Sequence, residues 1–280
     1  MLDSVPAAGL RRGPLGLPPV IGHRGAAALA PENTLAGFRC AKALGCDGVE
    51  FDVRLTADGG LVLCHDDRLD RTTDAKGRVL ELSLQDIRRC DAGAWFGPRF
   101  AGERVPSLAD ALALCAELGL GANVEIKAER GHGAETAAAV ATALVRLGND
   151  APPVLVSSFL TDALAAMRKA APQVPRGLLL KLLSRGWAAT AQRLGCATLH
   201  FDHRRLHAPL VAAITAAGYP VLAYTVNDPA RARQLFDWGV TSVFTDAPDI
   251  ILAMIAAHQP GRLAFAAGPD LASAQFGAVR

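Results

Sequence analysis

From residue 19 onward, short runs rich in Val, Ile, Leu and Phe alternate with longer Ala- and Leu-rich runs, and this alternation constrains the fold more than any other feature of the chain. The short runs fall at 20–22, 48–55, 122–127, 154–157, 177–180, 198–202, 221–226 and 242–245. Stretches with helical spacing of apolar residues follow them at 34–44, 108–118, 133–147, 162–170, 187–194, 209–217, 229–238 and 248–257. Eight strand-then-helix units over about 240 residues predict a TIM (β/α)8 barrel rather than an open doubly wound sheet.

One unit breaks the rhythm. Behind 48–55 come the turn signal Thr56-Ala57-Asp58-Gly59-Gly60, a short apolar run at 61–64 and a polar, Gly-containing stretch reaching Pro106. This predicts a small inserted subdomain after strand 2, at about residues 66–106. Connections of this kind open on the C-terminal face of a barrel, so the insertion should wall the site. The expected organisation is a flexible leader at 1–18, one barrel domain at 19–258 and a loosely ordered Gly/Ala/Pro-rich tail at 259–280.

Composition narrows the partners. With 29 Lys+Arg against 27 Asp+Glu there is no charge excess to hold a polyanion, which argues against nucleic acid and for a small-molecule substrate. Lys181, Gly218 and Pro220 interrupt the longest apolar stretches well short of the roughly 18 residues of a membrane span, so no stable membrane association is expected. Behind Arg11-Arg12 the run Gly13-Pro14-Leu15-Gly16-Leu17-Pro18-Pro19 cannot serve as an apolar signal core. Six cysteines without a C-x-x-C pair read as small buried hydrophobes in a reducing compartment, and the expected location is cytoplasmic. Oligomeric state is not legible.

In Val49-Glu50-Phe51-Asp52-Val53 the two-residue period of a strand puts Glu50 and Asp52 on one face and the apolar residues on the other. Val124-Glu125-Ile126-Lys127 repeats the device with Glu125 and Lys127. Either strand alone reads as solvated edge charges. Both together, in central Val/Ile settings, predict buried carboxylates that a cation or a salt bridge must compensate. Three carboxylates without Cys or spaced His favour one hard divalent ion, Mg2+ or Ca2+ with Mn2+ as a further choice, over zinc. His23 and His65 each follow a strand, and although a lone strand-end histidine is ordinarily structural, a pair beside an anionic cage suits general acid and base work. Arg24 and Lys127 supply the positive charge a phosphate requires. His200, His203 and His207 around Asp202 read as loop polarity in preference to a second metal site, and His132 and His258 as helix-terminal residues.

These residues, in order, resemble the glycerophosphodiester phosphodiesterases. The resemblance is carried by Gly22-His23-Arg24-Gly25, Pro31-Glu32-Asn33-Thr34, Glu50-Phe51-Asp52-Val53, Leu63-Cys64-His65-Asp66 and Arg71-Thr72-Thr73. It continues through Val124-Glu125-Ile126-Lys127, Ser158-Phe159, Tyr224-Thr225-Val226-Asn227 and Thr245-Asp246-Ala247-Pro248, covering about residues 19–257. It implies that Glu50, Asp52 and Glu125 hold one divalent cation, that His23 and His65 are the acid–base pair, and that Arg24 and Lys127 contact phosphate oxygens. Asn33 would either touch the ligand or cap the helix starting at Thr34. Tyr224 stands where the family usually carries Trp, which changes the wall expected beside the glycerol. The implied reaction is metal-dependent hydrolysis of a glycerophosphodiester to glycerol 3-phosphate and an alcohol, through a cyclic phosphate. Two alternatives are a lysophospholipase D activity, with Leu80, Leu82, Ile87, Trp95, Phe96 and Phe100 forming an acyl groove rather than the insertion's own small core, and a non-catalytic ligand-binding barrel.

Overall fold

The computed structural model describes residues 14–182 and 185–257. The expectations for residues 1–13, His258 and the tail at 259–280 lie outside the described residues.

The strands are buried on both faces, one toward the helices and one toward the barrel interior. β1 (Val20–His23), β2 (Gly48–Leu55), β4 (Gly121–Ile126), β5 (Val154–Ser158), β6 (Arg176–Leu180), β7 (Thr198–Asp202), β8 (Val221–Tyr224) and β9 (Ser242–Thr245) pair in parallel. The ring closes where Val20, Ile21 and Gly22 of β1 register with Val243, Phe244 and Thr245 of β9. This is the (β/α)8 barrel the alternation predicts. β3 (Leu61–Leu63) lies outside it and runs antiparallel to the end of β2, from Val53↔Leu63 to Leu55↔Leu61. β1 covers β2 only at Val49 and Glu50, so β3 takes over that edge where β1 stops.

Between strands and helices lies the main apolar core, with Phe51, Val53, Val124, Ile126, Val156 and Phe201 facing outward from the strands. Ile21, Leu155, Leu222 and Phe244 form a separate cluster that plugs the barrel interior, as side chains do in a barrel of this size. His200 is fully buried in β7, its Nε2 2.9 Å from Thr198 Oγ1 and its ring 5.3 Å from that of Phe244. Reading His200 as loop polarity is therefore wrong: the period of β7 turns it into the interior. His207 caps the helix that follows, and Asp202 is paired with Arg204.

The outer helices are α1 (Leu35–Ala43), α3 (Leu108–Leu118), α4 (Gly133–Leu147), α5 (Thr161–Ala170), α6 (Trp187–Leu194), α7 (Ala208–Ala216), α8 (Pro229–Asp237) and α9 (Pro248–Ala257). Local chemistry starts several of them. Ser107 and Asp110 form a reciprocal capping box on α3, and Asp228 caps α8 ahead of Pro229. Thr34, not Asn33, caps α1, its hydroxyl accepting from the Gly37 N–H. Between β3 and α3 the chain packs Val62, Cys64, Leu69, Val79, Ile87, Ala92 and Val105 into a core of its own around the one-turn helix α2 (Leu84–Ile87), with Leu82 against it. Leu80 packs instead on the barrel core, while Trp95, Phe96 and Phe100 stack edge to face on one another.

Candidate active site

At the C-terminal ends of β1, β2 and β4 the expected residues converge. Adjacent registers, His23↔Glu50 and Asp52↔Glu125, place them side by side, and alternation turns all four to the same space. Glu50, Asp52 and Glu125 are buried and bring one carboxylate oxygen each within 4.8 Å of the others.

Two cations face these three carboxylates. Arg24 donates its backbone N–H to Glu50 Oε2 at 3.0 Å and holds its guanidinium Nε 3.3 Å from Asp52 Oδ2. The Lys127 ammonium lies 3.3 Å from Asp52 Oδ1 and 2.5 Å from Glu125 Oε1. Burial would raise the Asp52 carboxyl, but Lys127 and Arg24 outweigh it and hold Asp52 well below the usual carboxylate range. Glu50 goes the other way: burial, then the charges of Asp52 and Glu125, push it well up. Burial also pushes Glu125 up to about 7, against the pull of Lys127. Glu50 Oε1 is buried without a hydrogen-bond partner. A buried carboxylate crowded by like charges, with one oxygen unsatisfied and two further carboxylates completing the set, fits a hard divalent cation.

Asn33 serves this cradle. It donates Nδ2–H to Asp52 Oδ2 at 2.9 Å and accepts from the Asp52 N–H at 3.0 Å, so it holds both the strand and the carboxylate. Both Arg24 and Asn33 adopt left-handed backbone angles, φ 51° and 56°. That conformation is costly for an arginine and recurs at functional loops, and here it aims the Arg24 N–H at Glu50.

Each histidine is anchored through Nδ1. His23 Nδ1 sits 2.6 Å from Asp246 Oδ1, and Asp246 is held by Asn227, which donates to its Oδ2 at 2.7 Å. His65 Nδ1 sits 2.8 Å from Asp66 Oδ1. Arg71 holds Asp66 down to about 2, and the His23 contact keeps Asp246 low despite its burial. Both carboxylates are thus ionised acceptors, which places a ring proton on Nδ1 and leaves proton exchange to each Nε2. His23 Nε2 lies 3.8 Å from Glu50 Oε2. Burial lowers His65, and the charge of Asp52 acts on it.

Tyr224 lies half-buried at the end of β8, its hydroxyl donating to Leu180 O at 3.1 Å and its ring edge-on to Phe159 at 5.9 Å. The Lys127 and Lys181 ammoniums stand 5.7 and 5.6 Å from the Phe159 ring centre. A cleft of about 730 Å3 opens elsewhere, between the insertion and α3, and none of the expected site residues lines it. Reading the sequence left Asp66, Asp246, Asn227 and Glu32 without a role. Each lies at a strand end or in the loop beyond it, on the same barrel face as the histidines, and that placement was the available signal.

Comparison with known proteins agrees with this geometry. Residues 23–250 match the Glycerophosphoryl diester phosphodiesterase family. A glycerophosphodiester phosphodiesterase of Caldanaerobacter subterraneus subsp. tengcongensis is 34% identical over 240 residues, covering 84% of this chain and 97% of that one. One from Bacillus subtilis is 32% identical over 248 residues, covering 82% and 84%. Among solved structures, an Oleispira antarctica phosphodiesterase in complex with the product sn-glycerol-3-phosphate superposes with a TM-score of 0.82 at 38% identity, covering 85% of this chain and 96% of that one. On the family match, the relatives and the barrel, this chain belongs to the glycerophosphoryl diester phosphodiesterase family of hydrolases.

Proposed function

We propose that the protein hydrolyses water-soluble glycerophosphodiesters to glycerol 3-phosphate and an alcohol, with Glu50, Asp52 and Glu125 holding one Mg2+ or Ca2+ ion and His23 and His65 exchanging protons with the substrate. The observation that carries this reading is the pair of imidazoles fixed through Nδ1 by ionised carboxylates beside one buried acidic cradle. The cation, when bound, offsets charge on a phosphoryl oxygen.

The chain's own groups do the rest. One imidazole enters neutral and its Nε2 takes the proton of the glycerol 2-hydroxyl as that oxygen bonds to phosphorus, while the other enters as the imidazolium and its Nε2 gives a proton to the departing alkoxide. The resulting cyclic phosphate is opened by water with the two imidazoles in exchanged roles, which returns both to their starting state. Arg24 and Lys127 neutralise phosphate oxygens. Asn33 holds Asp52 at the edge of the substrate space, and Tyr224 with Phe159 walls it.

That the Oleispira relative holds sn-glycerol-3-phosphate supports the substrate class. Ile87 and Leu82 belong to the insertion's own core and Leu80 to the barrel core, which takes three of the six residues of the expected acyl groove into other packing and favours soluble substrates over lysophospholipids. All six cysteines are free, with Cys64 and Cys115 pushed up to about 12 by burial, in keeping with a reducing, cytoplasmic location. Among the described residues no helix is long and apolar enough to cross a membrane.

The test is a coupled assay for glycerol 3-phosphate across several head groups, with and without chelator. Turnover should appear with Mg2+ or Ca2+ and vanish on chelation. Release that ignores the chelator would remove the cation from the proposal, and binding without release would make the protein a ligand-binding barrel.

A further inference from the structure

Arg71 stands in the loop of the insertion that follows His65, and its guanidinium joins two groups that belong to different loops. It donates from Nε to Asp66 Oδ2 at 2.7 Å and from Nη2 to Asp66 Oδ1 at 3.2 Å. It donates from Nη1 to Glu32 Oε2 at 2.7 Å and from Nη2 to Glu32 Oε1 at 2.8 Å. Beyond Asp66 lies His65, and beyond Glu32 lies Arg24, whose Nη1 donates to Glu32 Oε1 at 2.8 Å while its Nε faces Asp52. One unbroken chain of charge-assisted contacts therefore runs from the imidazole through Arg71 to the acidic cradle.

With both carboxylates gripped by its fork, Arg71 keeps only one N–H uncommitted and cannot also take a phosphate in the two-pronged manner for which arginine is suited. Its loop is held from behind. Leu69 is fully buried in the insertion core, and the Thr73 N–H and hydroxyl both donate to Leu69 O. Glu32, with its side chain only 11% exposed, is bracketed by two guanidiniums.

We propose that Arg71 is a positioning residue for catalysis, setting the orientation of His65 through Asp66 and of Arg24 through Glu32, so that the insertion completes the site rather than only covering it. This inference rests on the acid–base role assigned to His65 above. Outer partners that orient acting side chains commonly matter by 10–100-fold. Arg71→Ala should therefore lower kcat about 10- to 100-fold, a larger change than any in KM, in a protein that still unfolds in one cooperative transition. Arg71→Lys should recover little, because a point charge cannot bridge two carboxylates as a planar fork does. The downfield Nδ1 proton of His65 in the NMR spectrum should weaken or vanish in both.

Arg68→Ala, which cuts an exposed contact to Asp70 in the same loop, is the control and should keep wild-type kcat. Arg71→Gln, which keeps the length and one donor group, replaces Arg71→Ala if that variant does not fold. Wild-type kcat and an intact His65 proton in the Arg71 variants, while His65→Ala has lost turnover, would overturn the positioning role and leave the proposed function standing. Full turnover in His65→Ala would overturn both.

Discussion

Glu50 is the least compensated group at the site. Arg24 meets one of its oxygens through the backbone, and the other has no partner. Removing its charge should weaken the cradle more than it disturbs the fold. Glu50→Gln is expected to lower divalent-ion affinity by at least about 100-fold in a calorimetric titration, with excess ion restoring only part of the activity. His65→Ala should behave differently, losing about 10²–10⁴-fold in kcat while the same titration stays close to wild type, because the imidazole lies outside the carboxylate set. Glu50, Asp52 and Glu125 were legible one by one, since a two-residue period and a Val/Ile setting suffice to predict buried acids. Which of them has a spare oxygen was not. That depends on Arg24 bending into a left-handed angle, which no spacing rule announces.

The strand–helix units were legible for the same reason on a larger scale: apolar periodicity reports which face of a strand or helix is covered, whatever covers it. All eight barrel strands fall where that periodicity predicts them. The differences are confined to ends. β8 stops at Tyr224 because the chain then bends, although the Val226 N–H still reaches Phe244 O at 2.8 Å, and α1 starts one residue late because Thr34 is its cap. The loop from β1 to α1 shows how closely such units pack. Gly25 has φ +93°, and a Cβ there would fall 2.6 Å from the Gly37 carbonyl carbon, inside the start of α1. Gly25→Ala should cost about 3 kcal/mol in urea unfolding, combining a disfavoured backbone angle with a backbone clash. A cost under about 1 kcal/mol would show that the loop relaxes freely.

Closure of the barrel creates an interior that protects His200 from water and pushes it down to about 3. In the unfolded chain a histidine takes up its proton near pH 6.5. Below that pH the unfolded state binds a proton that the folded state refuses, so stability falls as pH drops from about 6.5 toward about 3, by up to about 1.4 kcal/mol per pH unit for this one group. Urea midpoints measured between pH 7 and pH 4 should therefore decline less steeply in His200→Gln than in the wild type. Equal slopes would mean that His200 is protonated while folded.

The barrel class and the acidic strand ends with their flanking histidines could be read from local order, because periodic burial and strand-end placement are properties of neighbouring residues. The partners that give those groups a defined proton and direction could not. Asp246 meets His23 across 223 residues of chain, because β9 closes against β1, and Arg71 meets Glu32 across 39, because the insertion folds back over the first loop. A hydrogen bond requires two atoms within about 3 Å, and for residues this far apart in the chain only the folded backbone brings them there.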